Sequence, residues 1–163
     1  MLQDTLVQWC QEKYDRSSAE YCGRDCDNKE NCNHNCDDCL DQVHWYPKYG
    51  GRCDYTCPNL LLRYVVRFTE KYSQQIHNAL DFVDTSWYPY FNIFSIGCGA
   101  TPDLMAFEEV AEGKNIYYNG YDRNPLWETI HNRIKTYTAT THNITAKLRR
   151  EDIFIVLSDG RPA

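Results

Sequence analysis

The chain has 163 residues, enough for one domain or for one small domain beside an incomplete one. Its net charge of -6 and its lack of any block rich in lysine or arginine argue against a protein that wraps DNA or binds an anionic membrane surface. No run approaches the ~20 apolar residues of a transmembrane helix, and the first residues lack a secretion signal, so the sequence predicts a cytoplasmic protein.

The predicted elements begin with a helix over residues 4–15, whose apolar stripe makes Cys10 a core thiol. Seven of the nine cysteines follow, between residues 22 and 57, in a segment rich in Asp, Asn and Gly. This segment has too few apolar side chains to form its own core, so it folds only if it is cross-linked or bound to metal. In a reducing compartment, clustered cysteines indicate metal ligands rather than disulfides.

Two close cysteine pairs, Cys36–Cys39 and Cys53–Cys57, have the spacing of a tetrahedral zinc site. Thirteen residues separate the pairs, a spacing that resembles a zinc ribbon or treble-clef knuckle. We expect each pair to lie on a tight turn and a structural zinc ion to join them. The other cysteines of the segment, with His34 or His44, are candidates for a second site or are thiols or a disulfide: Cys22, Cys26 and Cys32.

An iron–sulfur cluster is the alternative metal centre. Cys32, Cys36 and Cys39 have the spacing by which radical S-adenosylmethionine (SAM) enzymes hold a four-iron cluster. Two features oppose this interpretation: Asp38 stands where an aromatic residue is common, and no apolar strand precedes the cysteines.

A long helix is predicted from Pro58 to about Leu80, because apolar residues recur there at three- and four-residue spacing. A connector follows as far as Tyr90. Its aromatic residues, Trp87 and Tyr88 among them, are expected to pack at the mouth of a sheet.

Residues 91–124 are the most informative part of the chain. An apolar strand is predicted over 91–96, followed by a glycine turn and by a helix with Thr101 as N-cap and Pro102 at its first position. Gly113 stops this helix, and a second strand is predicted over 116–121. The order of strand, turn, helix and strand is that of a nucleotide-binding half-unit.

The turn is Gly97-Cys98-Gly99, and the second strand ends at Asp122. Glycines let the main chain approach a ligand, and an acid 23 residues after Gly99 can accept hydrogen bonds from ribose hydroxyls. Cys98 is predicted to be small filler rather than a nucleophile. Neither the third glycine of a dinucleotide fingerprint nor the Gly-Lys-Ser/Thr of a phosphate loop is present. The alternative is a βαβ unit with a purely structural turn.

The segment resembles motif I of class I SAM-dependent methyltransferases, over roughly residues 90–137. The resemblance implies that the turn lines the methionine and ribose parts of SAM, that the acid holds the ribose and that the next two residues lie near the adenine. Ser95 departs from the family, which often has an acid there. The implied cofactor-binding residues are Ile96, Gly97, Cys98, Gly99, Asp122, Arg123 and Asn124.

Three further elements are predicted: a helix capped by Asn124, a third strand over 139–145 and a buried fourth strand over 153–157. The predicted fold is therefore α/β, with an incomplete Rossmann-like sheet of about four strands and flanking helices, preceded by an irregular zinc-stabilised segment. We place the zinc-binding module at 1–59 and the methyltransferase-like domain at 60–163.

The sequence thus indicates a SAM-binding, methyltransferase-like protein, with no residue assigned to catalysis. The alternative is a zinc-stabilised interaction module that keeps a degenerate nucleotide scaffold, with the edge strand at 153–157 covered by a protein partner or a second copy. Nucleic-acid recognition by the cysteine segment is opposed by the carboxylates of that segment.

Overall fold

The structure, a computed structural model, describes residues 1–21, 36–45, 55 and 57–158. The chain divides into two compact units: an N-terminal unit, Thr5–Phe68, and a sheet unit made of Met1–Asp4 and Thr69–Ala163. The division falls within the long helix rather than at residue 59. The elements are α1 Leu2–Tyr21, α2 Cys36–Trp45, α3 Pro58–Leu80, β1 Tyr90–Ile96, α4 Pro102–Val110, β2 Asn115–Tyr121, a 3-10 helix Pro125–Trp127, α5 Glu128–Thr140, β3 Ile144–Arg149 and α6 Ile153–Ser158.

Apart from Tyr55 and Cys57, the described residues of the N-terminal unit are helical. Leu6 and Cys10, four residues apart on α1, are completely buried, as predicted for Cys10. Burial raises the pKa of the Cys10 thiol to about 12. Arg63 of α3 joins the helices, since its guanidinium donates two hydrogen bonds to Asp37 of α2 and lies over the ring of Tyr14 of α1. No helix in the described ranges is both long and apolar enough to cross a membrane.

The sheet unit is built on three parallel strands in the order β1-β2-β3. Phe91 of β1 pairs with Ile116 of β2, which pairs with Ile144 of β3. Helix α4 connects the first two strands and α5 connects the second and third. The fold is therefore mixed α/β, with helices flanking a parallel sheet.

One face of the sheet packs against α4 and α5. The ring of Phe91 contacts Phe107 of α4 at 5.2 Å between centroids. On the next strand, the Tyr118 hydroxyl donates to an Asp103 carboxylate oxygen of α4 at 2.8 Å. This face therefore holds the core of the unit.

The opposite face is open over much of its area. Tyr90, Phe94 and Ile96 of β1 and Tyr117 of β2 are between 41% and 56% exposed. Parallel sheets are normally covered on both faces, so this apolar face is unusual. Helix α6 covers one end of it, where Ile153 and Val156 pack with Tyr121.

The fourth strand predicted over 153–157 is wrong, because these residues form α6. A short apolar run has no periodicity that separates a strand from a buried helix. Asp152 decides the outcome locally: its carboxylate accepts from the Phe154 amide at 3.0 Å and its carbonyl accepts from the Val156 amide at 3.1 Å. The third strand also lies later than predicted, at Ile144–Arg149 instead of 139–145.

The aromatic connector does not pack at the mouth of the sheet. Trp87 is 84% exposed, and its indole N–H donates to an Asp84 carboxylate oxygen at 2.7 Å. The connector leads into the amino end of β1, whereas the mouth lies at the carboxyl ends of the strands.

Candidate functional site

The turn after β1 has an uncommon backbone. Gly97 and Gly99 have φ angles of 65° and 47°, and Thr101 has a φ of 58°. Positive φ suits glycine but strains a β-branched residue. Such strain tends to persist at binding and catalytic sites.

Thr101 occupies the N-cap position of α4, as the sequence predicted, but its side chain makes no capping hydrogen bond. Thr101 is fully buried, and its hydroxyl oxygen has no hydrogen-bond partner among the described residues. The left-handed backbone at Thr101 replaces the extended conformation that N-cap residues normally adopt. The cap predicted at Asn124 is confirmed, since its side chain accepts from the Leu126 amide at 3.0 Å.

Asp122 joins the turn to the end of β2. One carboxylate oxygen accepts from the Gly99 amide at 3.0 Å, and the other accepts from the Asn124 amide at 2.9 Å. The Asp122 amide donates to the Arg149 carbonyl at 3.0 Å, which places the end of β3 alongside. A carboxylate has about four acceptor positions, so two remain for a ligand.

His131 of α5 supports the turn from below. Its Nε2 lies 2.8 Å from the Gly99 carbonyl oxygen, and its ring is stacked with that of Trp127. Burial lowers the pKa of His131, so the ring is neutral near pH 7, and only the tautomer with a proton on Nε2 can donate to the carbonyl. Sequence reasoning missed this residue, because a histidine within a helix carries no signal of its spatial neighbours.

The Cys98 side chain lies beneath the turn, 3.9 Å from Nε2 of His131. It is 3% exposed, and burial raises the pKa of its thiol well above the usual range. A buried neutral thiol is a poor nucleophile, in agreement with the role of small filler predicted for it.

A cavity of about 410 Å³ opens beside the turn, at the carboxyl ends of the strands. Four of the predicted cofactor-binding residues line this cavity: Ile96, Gly97, Asp122 and Arg123. The other three, Cys98, Gly99 and Asn124, support the turn and the 3-10 helix instead. The lining residues that sequence reasoning missed are Tyr121, Glu151, Asp152, Ile153 and Phe154.

Most of the predicted metal ligands lie outside the described residues: Cys22, Cys26, Cys32 and Cys53. Cys36 and Cys39, expected on a tight turn, form the first turn of α2. Within the described ranges no group of three or more His, Cys, Asp or Glu side chains is placed to hold a metal ion. Cys57 precedes α3, where its carbonyl accepts from the Leu61 amide at 3.2 Å.

A scan of the chain against protein-family models and a search of curated proteins both find no match.

Proposed function

We propose that the sheet unit binds SAM as a methyltransferase-like protein, with the ligand in the cavity beside the glycine turn. The observation that carries this proposal is the Asp122 carboxylate, fixed by two backbone amides at the rim of a ligand-sized cavity. The order β1-α4-β2-α5-β3 with neighbouring parallel strands supports a Rossmann-like half-sheet. In such sheets, ligands bind at the carboxyl ends of the strands.

The residues present fit an adenosyl compound. The volume of about 410 Å³ lies within the range of roughly 300–1,000 Å³ typical of ligand sites. A Cβ built on Gly97 would meet no atom within 4 Å, so the bare main chain borders open space. The ribose hydroxyls would donate to the acceptor positions that remain on Asp122.

The charge of the cavity favours SAM over a nucleotide with phosphates. Three carboxylates line it, from Asp122, Glu151 and Asp152, against one guanidinium from Arg123. SAM carries a positive sulfonium, which such a lining attracts, whereas it would repel a polyphosphate. When bound, the sulfonium supplies the leaving group for methyl transfer, and the chain's own residues hold the ligand and exclude water.

Calorimetric titration with SAM and S-adenosylhomocysteine tests this proposal. We expect micromolar binding to the wild-type protein and its loss in Asp122→Ala. Asp84→Ala is the matched control, because Asp84 is an exposed carboxylate outside the cavity whose partners are Ser86 and Trp87. Thermal unfolding of each variant separates loss of binding from loss of folding. Absence of heat with both compounds in wild-type protein would reject the proposal.

We further propose that the cysteine segment of the N-terminal unit binds a structural zinc ion. The reducing conditions of the cytoplasm keep its cysteines as thiols, which are then available as metal ligands. The support is the spacing of Cys36 and Cys39 with Cys53 and Cys57. Elemental analysis of purified protein should find zinc, whereas brown protein that absorbs near about 400 nm would indicate an iron–sulfur cluster.

Two further measurements test the zinc proposal. A chelator should lower amide-exchange protection over residues 22–57, because metal-binding energy there is folding energy. Cys57→Ser should lose the metal and Cys10→Ser should keep it, since Cys10 is a buried thiol outside the segment. Unchanged exchange after chelation would contradict the proposal.

A second candidate function, an interaction module, is favoured by the open face of the sheet. The predicted edge at 153–157 does not exist, so we propose that the open face itself binds a second copy of the chain. Phe154, Ile155 and Leu157 of α6 are also more than half exposed, and Phe154 and Ile96 line one cavity. With the four exposed strand residues they offer on the order of 600 Å² of apolar surface.

That area approaches the roughly 800 Å² per partner of a stable interface and lies at the upper end of the largest patches, about 300–600 Å², that typical monomers leave open. Sedimentation equilibrium should show a dimer, and Phe94→Ser with Tyr117→Ser should dissociate it. Phe82→Ser is the control, because Phe82 is 92% exposed but precedes the sheet. A wild-type monomer at the highest soluble concentration would exclude the second copy as occupant.

A further inference from the structure

A second cavity, of about 480 Å³, lies at the same end of the sheet as the first. Three arginines line it together with Pro125 and Glu151: Arg123, Arg149 and Arg150. Arg123 and Glu151 also line the first cavity, so the two spaces adjoin. Arg123 lies two residues after the end of β2, and Arg149 ends β3.

Two of the arginines are held in place by neighbours. Arg149 donates to the Tyr121 hydroxyl at 2.6 Å, and its guanidinium lies 5.2 Å from the centroid of the Tyr121 ring. Arg150 donates to a Glu128 carboxylate oxygen at 3.1 Å. Each contact uses one of five N–H donors, so most donors of both groups remain for a ligand.

Arg123 has no hydrogen-bond or ion-pair partner among the described residues. Its exposed guanidinium therefore adds a full positive charge to the cavity. Three guanidiniums face the single carboxylate of Glu151 within the lining, so the charge there is positive, opposite to the charge of the first cavity. Arginine clusters of this kind bind phosphate through charge-assisted, bidentate hydrogen bonds.

We propose that this arginine cavity binds a phosphate group. If the first cavity holds SAM, as proposed above, the phosphate belongs to the acceptor, because SAM itself carries none. The two adjoining cavities then sort their ligands by charge: the sulfonium beside the carboxylates and the phosphate beside the arginines. We therefore expect a phosphate mono- or diester in the arginine cavity, next to an adenosyl compound in the first cavity.

Titration with inorganic pyrophosphate tests the site without any adenosyl ligand. We expect Arg123→Gln to weaken binding about tenfold or more, equivalent to about 1.4 kcal/mol or more. This variant removes no contact within the described residues, so its folding should be unaffected. Lys147→Gln is the control, because it removes one exposed positive charge from β3 that does not line the cavity. Its affinity for pyrophosphate should change less than about threefold, through screened long-range charge alone.

A repeat of the titration with saturating S-adenosylhomocysteine distinguishes the sources of the phosphate. Undiminished pyrophosphate affinity supports a phosphorylated acceptor that binds beside SAM. Competition would overturn a separate acceptor and assign the phosphate to an adenosyl ligand other than SAM that spans both cavities. Pyrophosphate binding in a protein that ignores S-adenosylhomocysteine would keep the phosphate site and reject the SAM proposal. No pyrophosphate binding at low salt, or equal losses in Arg123→Gln and Lys147→Gln, would overturn the phosphate site.

Discussion

Replacement of Gly120 by alanine tests the packing that supports the glycine turn. Gly120 lies in β2, between Ser95 of β1 and Leu148 of β3. A Cβ built there would lie 2.7 Å from Tyr118 Cε1 and 2.9 Å from both Cys98 Sγ and Leu148 Cδ2. All three distances are shorter than normal carbon and sulfur contacts, and all three neighbours are buried, so they have little room to move.

The expected cost follows from two opposing effects. An extra methyl group in a tightly packed core lowers the free energy of unfolding by about 1–3 kcal/mol. Alanine also lowers the conformational entropy of the unfolded chain, which raises the free energy of unfolding by about 0.4–1 kcal/mol. The backbone of Gly120 does not have positive φ, so alanine adds no backbone strain there. We therefore expect Gly120→Ala to lose about 1–2 kcal/mol of unfolding free energy.

Urea unfolding followed by circular dichroism measures this loss. Gly120→Ala combined with Cys98→Ala should lose less than the sum of the two single variants, because removing Sγ vacates one of the three contacts. A shift of the turn should also weaken S-adenosylhomocysteine binding in the single variant. Wild-type stability in Gly120→Ala would show that the contacts around this residue are not tight and would refute the reasoning.

Three other predictions concern the turn and its supports. Gly97→Ala should lose about 1–2 kcal/mol of unfolding free energy in urea, because alanine is strained at a φ of 65°. Its methyl group would meet no atom within 4 Å, so backbone strain alone causes the loss, and an unchanged urea midpoint would contradict this. Because the pKa of His131 is lowered in the folded state, the unfolded chain binds its proton first as the pH falls below about 6.5. Stability should therefore decline on acidification in that range, and the decline should be smaller in His131→Gln; identical pH profiles of thermal unfolding would refute the assignment. Asn124→Ala should cost about 1 kcal/mol through loss of the cap on the Leu126 amide, and Asn124→Ser should recover part of it in the same urea assay.

Local signals in the sequence predicted the centre of the sheet unit well. Three elements begin within one residue of the predicted position: the strand before the glycine turn, the helix from Pro102 and the strand before Asp122. These elements are decided by features within a few residues: apolar strands bounded by glycine and a proline at the first helical position. The cap at Asn124 belongs to the same class of local signal.

Two other parts of the sheet unit differ from the structure predicted for them. The run Ile153–Leu157 is apolar enough for a strand, but it became a helix that places Ile153 and Val156 against Tyr121. Glu151 and Asp152, which follow β3 and line the cavity, were not among the residues that the sequence predicted for the site. The strand predicted over 139–145 is displaced because side chains alternate over 144–149 as they do in a half-buried strand, a local pattern that the threonines before it lack.

The positions of the glycine turn and of the acid after the second strand are readable from the sequence alone, because both are set by backbone chemistry at neighbouring residues. The three-dimensional fold is needed to bring the Asp122 carboxylate to the Gly99 amide, to place His131 against the Gly99 carbonyl and to gather Arg123, Arg149 and Arg150 around one cavity. These residues come from different elements: the parallel strands align their carboxyl ends, and α5 carries His131. The open apolar face likewise follows from both connecting helices packing on the same side of the sheet, which the alternation of side chains along a single strand cannot reveal.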